Sequence, residues 1–355
     1  MIKNPPFFIT GVQRSGTTLL SFLLGNHPDL YMDTYSIAFR LIHGLKTSYQ
    51  YAHGSHLHLS DQEILKQLIE HDYKGRLAAL LDVEHIDQYD STQHLIQASI
   101  QQKLKEHNKQ VWGDKSPGLQ YYISELLLLV PNAKILHIVR DGRATANSLH
   151  RRAHKNLSLS AQDWVDINLL ALQHQQLLGK ARFKIVRYED ILENTEESMR
   201  DICTFLGLDF NPSVLDPSQH QKTEGDRAYV QKKLNTDAIF RYRTQLTPQQ
   251  IKTIEQIQGP LLLQLNYQLF ETSKTSTFKE LSAFKQIWLN QSTNFLALFR
   301  SYETRMEEWQ LVKTKIPFRK RLGFFLRAFV KDIAARPIFN HFFNSKLKKL
   351  PGDDK

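Results

Sequence analysis

The residues best able to do chemistry in this chain gather around two glycines and two arginines. Gly11 and Gly16 bound the segment Gly11-Val12-Gln13-Arg14-Ser15-Gly16-Thr17-Thr18. Their spacing is that of the phosphate-binding loop G-x-x-x-x-G-K-[ST], whose backbone N–H groups, backed by a helix N-terminus, hold a phosphate. Thr17 stands where that motif carries lysine. The lysine normally reaches the β- and γ-phosphates of a nucleoside triphosphate, so its replacement argues against an ordinary NTPase or small-molecule kinase. Arg14, inside the loop, is then the candidate cation. The plain alternative is a strand-to-helix turn with glycines for geometry alone. A second anion site is suggested by Arg140, which follows the apolar run Lys134–Val139. The C-terminal edge of a strand is where open α/β sheets bind ligands. Ser148 and Arg152 are four residues apart, share a helix face and can join Arg140 on one phosphate. The alternative makes Asp141 and Arg143 turn and surface charges and leaves Arg152 solvated.

Four short apolar runs must position these groups: Phe7 to Gly11, Gln110 to Gly113, Lys134 to Val139 and Phe183 to Tyr188. Helix-period stretches separate them. Ser60 with Glu63, and Ser160 with Asp163, read as helix starts. Thr247 before Pro248 reads as an N-cap with proline at the first helical position. Strands alternating with helices predict an α/β fold, a parallel sheet with helices on both faces. Residues 34 to 110 are polar and histidine-rich and read as a cover or substrate region. Near residue 272 the strand-helix rhythm stops. The chain therefore divides into a main domain, 1–271, and a helical basic C-terminal extension, 272–355.

Of the 355 residues, 41% are hydrophobic and 23% charged, enough to bury a core and too apolar for a disordered tail. No run approaches the roughly 18 apolar residues of a spanning helix. The start MIKNPPFFIT has no apolar h-region, so no signal peptide is expected. The single cysteine, Cys203, cannot form an internal disulfide, and a reducing, cytoplasmic compartment is expected. It falls in a helix with apolar periodicity ahead of Gly207, as a buried thiol rather than a nucleophile. His53, His56 and His58 fit no common zinc spacing, and no metal site is expected. The net charge of +10 comes from residues 313–349, which hold eleven Lys/Arg against one acid, Asp332. The main domain is close to neutral, so nucleic acid is not an expected partner. Within that segment Phe318, Leu322, Phe325, Phe329 and Ile333 form one helical stripe, with Lys320, Arg327 and Lys331 roughly opposite. A helix over 318–336 with this pattern either lies on an anionic membrane, here the inner face, or packs on the main domain or a second subunit.

Four segments in order resemble the sulfotransferase superfamily, which uses 3′-phosphoadenylyl sulfate (PAPS). They are Arg14-Ser15-Gly16-Thr17-Thr18, Trp112-Gly113-Asp114-Lys115-Ser116-Pro117, Arg140 with Ser148 eight residues later, and Val186-Arg187-Tyr188-Glu189-Asp190-Ile191-Leu192. The likeness spans roughly residues 7 to 270 and is closest to the bacterial and protein-tyrosine branches. It implies a P-loop-NTPase-like fold and transfer of a sulfuryl group to a hydroxyl acceptor by in-line displacement, without an obligatory metal. It implies that Arg14, Ser15, Gly16, Thr17 and Thr18 bind the 5′ end of PAPS, and that Arg140, Ser148 and Arg152 bind the 3′-phosphate. Tyr188 corresponds to a nucleotide-contacting tyrosine. Arg241 resembles a late basic residue that returns to the nucleotide. Lys115 would stabilise the departing bridging oxygen.

Removing the acceptor proton needs a base. The tyrosine branch places a glutamate shortly after its His-Pro-Glu/Asp segment. Here His27-Pro28-Asp29-Leu30-Tyr31-Met32-Asp33 has none, and Asp33 is the candidate, with His43, His53 or His56 as alternatives. The acceptor class stays open among carbohydrate, lipid, small molecule and peptide. A P-loop kinase and a nucleotide-binding membrane adaptor without catalysis are the competing readings.

Overall fold

The computed structural model describes residues 4–33, 91–153, 155–216 and 234–270, together with 38, 39, 41, 42, 81, 88 and 89. Five parallel strands make one sheet: β1 Phe7–Gly11, β2 Leu30–Asp33, β3 Val111–Lys115, β4 Lys134–Val139 and β5 Phe183–Arg187, in the order β2-β3-β1-β4-β5. The helices used below are α1 Thr17–Gly25, α2 Thr92–Glu106, α3 Ile123–Leu129, α4 Gly142–Ala153, α5 Leu157–Leu178, α6 Tyr188–Glu193, α7 Thr195–Leu206 and α8 Pro248–Gln264. By contacts the chain falls into two units, Met1–Thr145 with Trp164–Gln245, and Ala146–Asp163 with Leu246–Lys355.

The first unit holds the whole sheet. β1 and β4 are central, and every residue of β1 is buried. That is why both read as near-continuous apolar runs. Strand alternation sends Phe8, Trp112, Ile135 and Phe183 to one face, where they meet Leu95, Ile96 and Ile100 of α2 and Ile123 and Leu126 of α3. Phe7, Ile9, Leu136 and Ile138 point to the other face, against Leu20, Leu23 and Leu24 of α1 and Met199, Ile202 and Cys203 of α7. Each such side chain contributes roughly 1.5–3 kcal/mol by leaving water. Gly113 has no side chain for a packing reason: a Cβ there would sit 2.4 Å from the Phe7 ring.

The strand order reverses at β1. From β1 the chain runs to β2 and β3 on one side, then crosses to β4 and β5 on the other. The C-terminal ends of β1 and β4 therefore flank a topological switch point, the usual ligand crevice of such sheets.

Several expectations are changed. The sheet has a fifth strand, β2, which the sequence pattern does not reveal. It is four residues long, sits at the edge and pairs only with β3. His27 fixes the turn before it. Its Nδ1 accepts from the Asp29 N–H (3.1 Å), so Nε2 carries the proton toward the Asp209 carbonyl (2.8 Å). β3 extends to Lys115 rather than ending at Gly113. β5 ends at Arg187, and Tyr188 opens α6. Ser160 does not start α5. Asn156 does, accepting from the N–H groups of Ser158 and Leu159, while Asp163 pairs with Lys155 inside the same unit. The Thr247 cap forms a full capping box with Gln250. Cys203 is buried in α7, which Gly207 ends in the left-handed conformation. Burial pushes its thiol up to about 11. Within the second unit, Gln258 of α8 donates to the Ala161 carbonyl (3.3 Å), and Ile257 packs on Leu159. The helix start at Ser60, most of the 34–110 cover region, the boundary near 272 and the basic helix proposed at 318–336 lie outside the described residues.

A polar seam runs through the core of the first unit. His137 is fully buried in β4, and its Nε2 faces Asn168 Oδ1 at 2.9 Å. Because that oxygen only accepts, Nε2 carries the proton. Burial pushes the imidazole down to about 4. An unfolded histidine protonates near 6.5, so between those values the unfolded chain holds more protons and stability falls as pH falls. We expect His137→Gln to flatten this loss: between pH 6.5 and 4.5 the variant should lose less unfolding free energy than the parent, by on the order of 2 kcal/mol. Urea titrations at the two pH values, compared as a difference, measure it. Equal losses would contradict the assignment.

Candidate functional site

The site begins where β1 runs out. Gly11 leaves the strand so close to β4 that a Cβ would lie 2.6 Å from the Ile138 carbonyl oxygen. Ser15 N–H then closes a turn on the Val12 carbonyl (3.0 Å). Arg14 takes a left-handed φ of 75°, unusual for a side-chain-bearing residue and costly by about 1 kcal/mol. Gly16, at φ 106°, is the N-cap of α1. No side chain caps that helix, and its first turn contains no acid. The first N–H groups of a helix have no partner within it, and its N-terminus carries partial positive charge. Ser15 is buried, and its Oγ has no hydrogen-bond partner among the described residues.

Arg140 meets this loop from β4. Its Nη1 donates to the Arg14 carbonyl (3.3 Å) and its Nη2 to the Ala238 carbonyl (2.7 Å). Its guanidinium lies 4.5 Å from the centre of the Tyr188 ring. The Nε of Arg140 is buried without a partner among the described residues. Tyr188 in turn covers the loop, since a Cβ on Gly16 would be 2.3 Å from its ring. Arg14 is itself solvent-facing, yet its guanidinium is held below its ordinary value, first by partial desolvation and then by Arg140. Burial raises the Tyr188 hydroxyl, and the charges of Arg140, Arg241 and Arg14 oppose that rise. The two candidate segments, separate in the sequence, share one tyrosine and touch through one arginine.

Three buried groups hold the turn that carries Arg140. The Trp164 indole donates to the Arg140 carbonyl (2.9 Å). Glu189 Oε1 accepts from the Asp141 N–H (2.9 Å). Asp141 receives Arg143 as a fork, Nε on Oδ1 at 3.0 Å and Nη2 on Oδ2 at 2.7 Å, and both residues are buried. Asp141 and Arg143 are thus not surface charges. They are an internal brace, with Arg143 also lying over Tyr242 (5.1 Å). A buried pair is weak evidence for net stability, because desolvation offsets attraction, but removing one partner leaves an uncompensated charge. The acid-basic spacing Asp141-x-Arg143 is the only sequence feature that could have revealed it.

The remaining candidates scatter around this core. Thr17 is buried at the start of α1 and Thr18 half-buried beside it. Lys115, half-buried, ends β3 in register with Ile9 of β1, and the Ser116 N–H is tied to the Ile9 carbonyl (2.9 Å). Alternation puts Lys115 on the α1 face of the sheet. Asp33 is buried at the end of β2. With β3 between, it is two strand spacings, ~10 Å, from β1. Its register partner is Asp114, a fully buried acid that the sequence reading passed over in favour of its neighbour Lys115. Arg241 lies exposed between two short helical turns, Asp237–Phe240 and Tyr242–Gln245, within electrostatic reach of Tyr188. Ser148 and Arg152 sit one turn apart on α4, in the second unit. His43, His53, His56 and His58 lie outside the described residues. Among the described residues no group of three or more His, Cys, Asp or Glu could hold a metal ion.

Comparison with known proteins bears on this arrangement. The sequence model of the sulfotransferase family matches residues 5–212, more than half of the chain. The chain is 27% identical over 283 residues to a protein-tyrosine sulfotransferase of Drosophila melanogaster, covering 75% of this chain and 52% of that protein. It is 26% identical over 295 residues to the nodulation protein NoeE of Sinorhizobium fredii, covering 74% of this chain and 65% of that one. The chain thus spans between half and two thirds of the length of these relatives. Among solved structures, the sulfotransferase domain from the curacin biosynthetic pathway superposes with a TM-score of 0.53 at 21% identity, over 76% of this chain and all of that domain. The sulfotransferase domain of the Synechococcus PCC 7002 olefin synthase gives 0.51 at 24% identity, over 75% and 96%. These likenesses establish the fold.

The contact of Tyr188 with Gly16 makes a direct prediction. Gly16→Ala must displace the ring and strain a left-handed backbone, costing about 1–3 kcal/mol. Tyr188→Ala in the same chain relieves the clash but not the strain, so the double variant should recover part of that loss. Denaturant unfolding of the four proteins measures the coupling. Strictly additive losses would contradict the contact.

Proposed function

We propose, on the premise that the chain belongs to the sulfotransferase family, that it moves the sulfuryl group of PAPS onto a hydroxyl acceptor by in-line displacement. The observation that carries this reading is the meeting of Arg14, Arg140 and Tyr188 at the switch point of the sheet, beside an uncapped helix N-terminus. Such a crevice offers cationic donors and backbone N–H groups to a ligand rich in anionic oxygen.

In this reading Arg14, Gly16, Thr17, Thr18 and the first N–H groups of α1 take the 5′ phosphosulfate. The buried Ser15 hydroxyl gains the partner it lacks. Arg140 takes the 3′-phosphate, and Ser148 and Arg152 stay in the proposal on their helical spacing alone. Tyr188 packs against the nucleotide, and Arg241 closes on it. Asp33 removes the acceptor proton as the new O–S bond forms. The S–O bond to the phosphate breaks, and Lys115 stabilises the negative charge that collects on the departing oxygen. The product is adenosine 3′,5′-bisphosphate. Because a sulfuryl group carries less charge than a phosphoryl group, fixed donors suffice and no divalent ion is required.

The acceptor is a hydroxyl of a carbohydrate, lipid, small molecule or peptide. The fly relative's name makes a tyrosine-bearing peptide the first one to try. Among the described residues no helix is long and apolar enough to cross a membrane. A reducing, cytoplasmic setting suits a chain whose one thiol, Cys203, is buried and free, and the basic 318–336 segment is kept as a proposed peripheral contact with anionic lipid.

Calorimetry with adenosine 3′,5′-bisphosphate tests the reading. Binding should persist in EDTA, and Arg140→Ala should weaken it about 10- to 100-fold, the loss of a charge-assisted hydrogen bond. Absence of binding, or binding by Arg14→Ala and Arg140→Ala as tight as the wild type's, would overturn the proposal. Labelled PAPS offered with peptide, sugar and lipid acceptors then reads the transfer itself.

A further inference from the structure

We propose that Asp114 is a positioning residue: it keeps a proton and donates it to Asp33, so that Asp33 is the ionised member of a carboxyl pair. The role of Asp33 as base rests on the sulfuryl-transfer reading; the shared proton does not.

The geometry comes from the sheet. Asp33 and Asp114 are register partners across the parallel β2–β3 ladder. Partners in neighbouring strands lie about 4.8 Å apart and point to the same face. Asp33 is 8% exposed and Asp114 not at all. Two adjacent buried carboxyl groups cannot both ionise cheaply, and one of them keeps a proton.

The hydrogen bonds indicate which one. Asp114 Oδ2 accepts twice, from Ser116 Oγ (2.6 Å) and from the Ala38 N–H (3.0 Å). Its Oδ1 is buried without a partner among the described residues. An ionised carboxylate only accepts, so a buried oxygen without a donor is costly. A protonated Oδ1 becomes a donor, and the carboxyl that the ladder sets beside it on the same face is Asp33. Burial first, and Asp33 second, raise Asp114 to about 7, against the hydrogen bonds of Ser116 and Ala38 and the charge of Lys115. On the other side of Asp114 the β1 register partner is Phe8, which cannot titrate.

The same carboxyl also anchors residues 38 and 39. Ser116 Oγ, while donating to Asp114, accepts from the Phe39 N–H (3.3 Å). The Phe39 ring lies where a Cβ on Gly118 would be 3.0 Å away. Asp114 therefore holds residues 38 and 39 as well as facing Asp33 across the ladder.

Infrared titration of the full-length chain tests the pair without any substrate. The protonated-carboxyl stretch should survive above about pH 6, where ordinary carboxyl groups are ionised. Asp114→Asn should abolish it. Asp33→Asn should keep the band but move its loss to lower pH, by roughly one unit or more, because one like charge is gone. A wild-type chain with no such band, or an Asp33→Asn chain that titrates where the wild type does, would overturn the proposal. If the wild type transfers sulfate, kcat adds a second reading. Asn keeps an N–H to give Asp33, so Asp114→Asn should retain activity and lose the alkaline decline near pH 7, whereas Asp114→Val should lose kcat at least about tenfold with the KM for PAPS unchanged. Equal kcat and pH dependence in all three would also overturn it. A wild type that transfers no sulfate but shows the shifted band would sink the function and spare the pair.

Discussion

The guanidinium of one arginine resting on the backbone of another is the contact on which the rest of this structure turns. Arg14 and Arg140 come from different strands, and the fold brings one guanidinium onto the backbone of the other. Like charges at such range repel, and part of that repulsion survives at a protein surface. Partial desolvation first, and Arg140 second, hold Arg14 below its ordinary basicity. Its backbone occupies a left-handed conformation that favours glycine. In the proposed function an anion bound at these cations would offset that cost, which is how strain at a site is converted into affinity.

What holds the cations together is mostly apolar and distant from them. β1 and β4 are adjacent because both are buried on two faces, and their C-terminal ends are where the strand order reverses. The turn bearing Arg140 is pinned by the Trp164 indole, the Glu189 carboxylate and the Asp141–Arg143 fork. None of these is placed to touch a ligand through the atoms that do the pinning. They position the loop and Arg140, which the proposed function makes the receiving groups.

How much of this could be read beforehand follows burial. β1 and β4 were legible from end to end because strands covered on both faces are written as unbroken apolar runs. β2 was not, because an edge strand of four residues with tyrosine inside and aspartate at its end has no such pattern. Missing β2 also hid Asp114, whose significance comes from a register partner on that strand. For Asp141 and Arg143, surface charges stayed open as an alternative, since nothing in a sequence tells a buried fork from two solvated side chains. The glycines were legible in spacing but not in cause. Gly16 is required by a tyrosine more than 170 residues away in sequence. Arg14, Arg140 and Tyr188 were found because motif order survives where contact cannot be seen.

Thermal unfolding of the free and liganded chain tests the central claim most directly. If Arg14 and Arg140 are held together at a cost, Arg14→Gly removes both the repulsion and the left-handed strain. The free variant should then melt above the free wild type, and adenosine 3′,5′-bisphosphate should raise the wild-type Tm more than the variant's. A free wild type that melts above the variant, or a variant stabilised as strongly by the bisphosphate, would contradict the account.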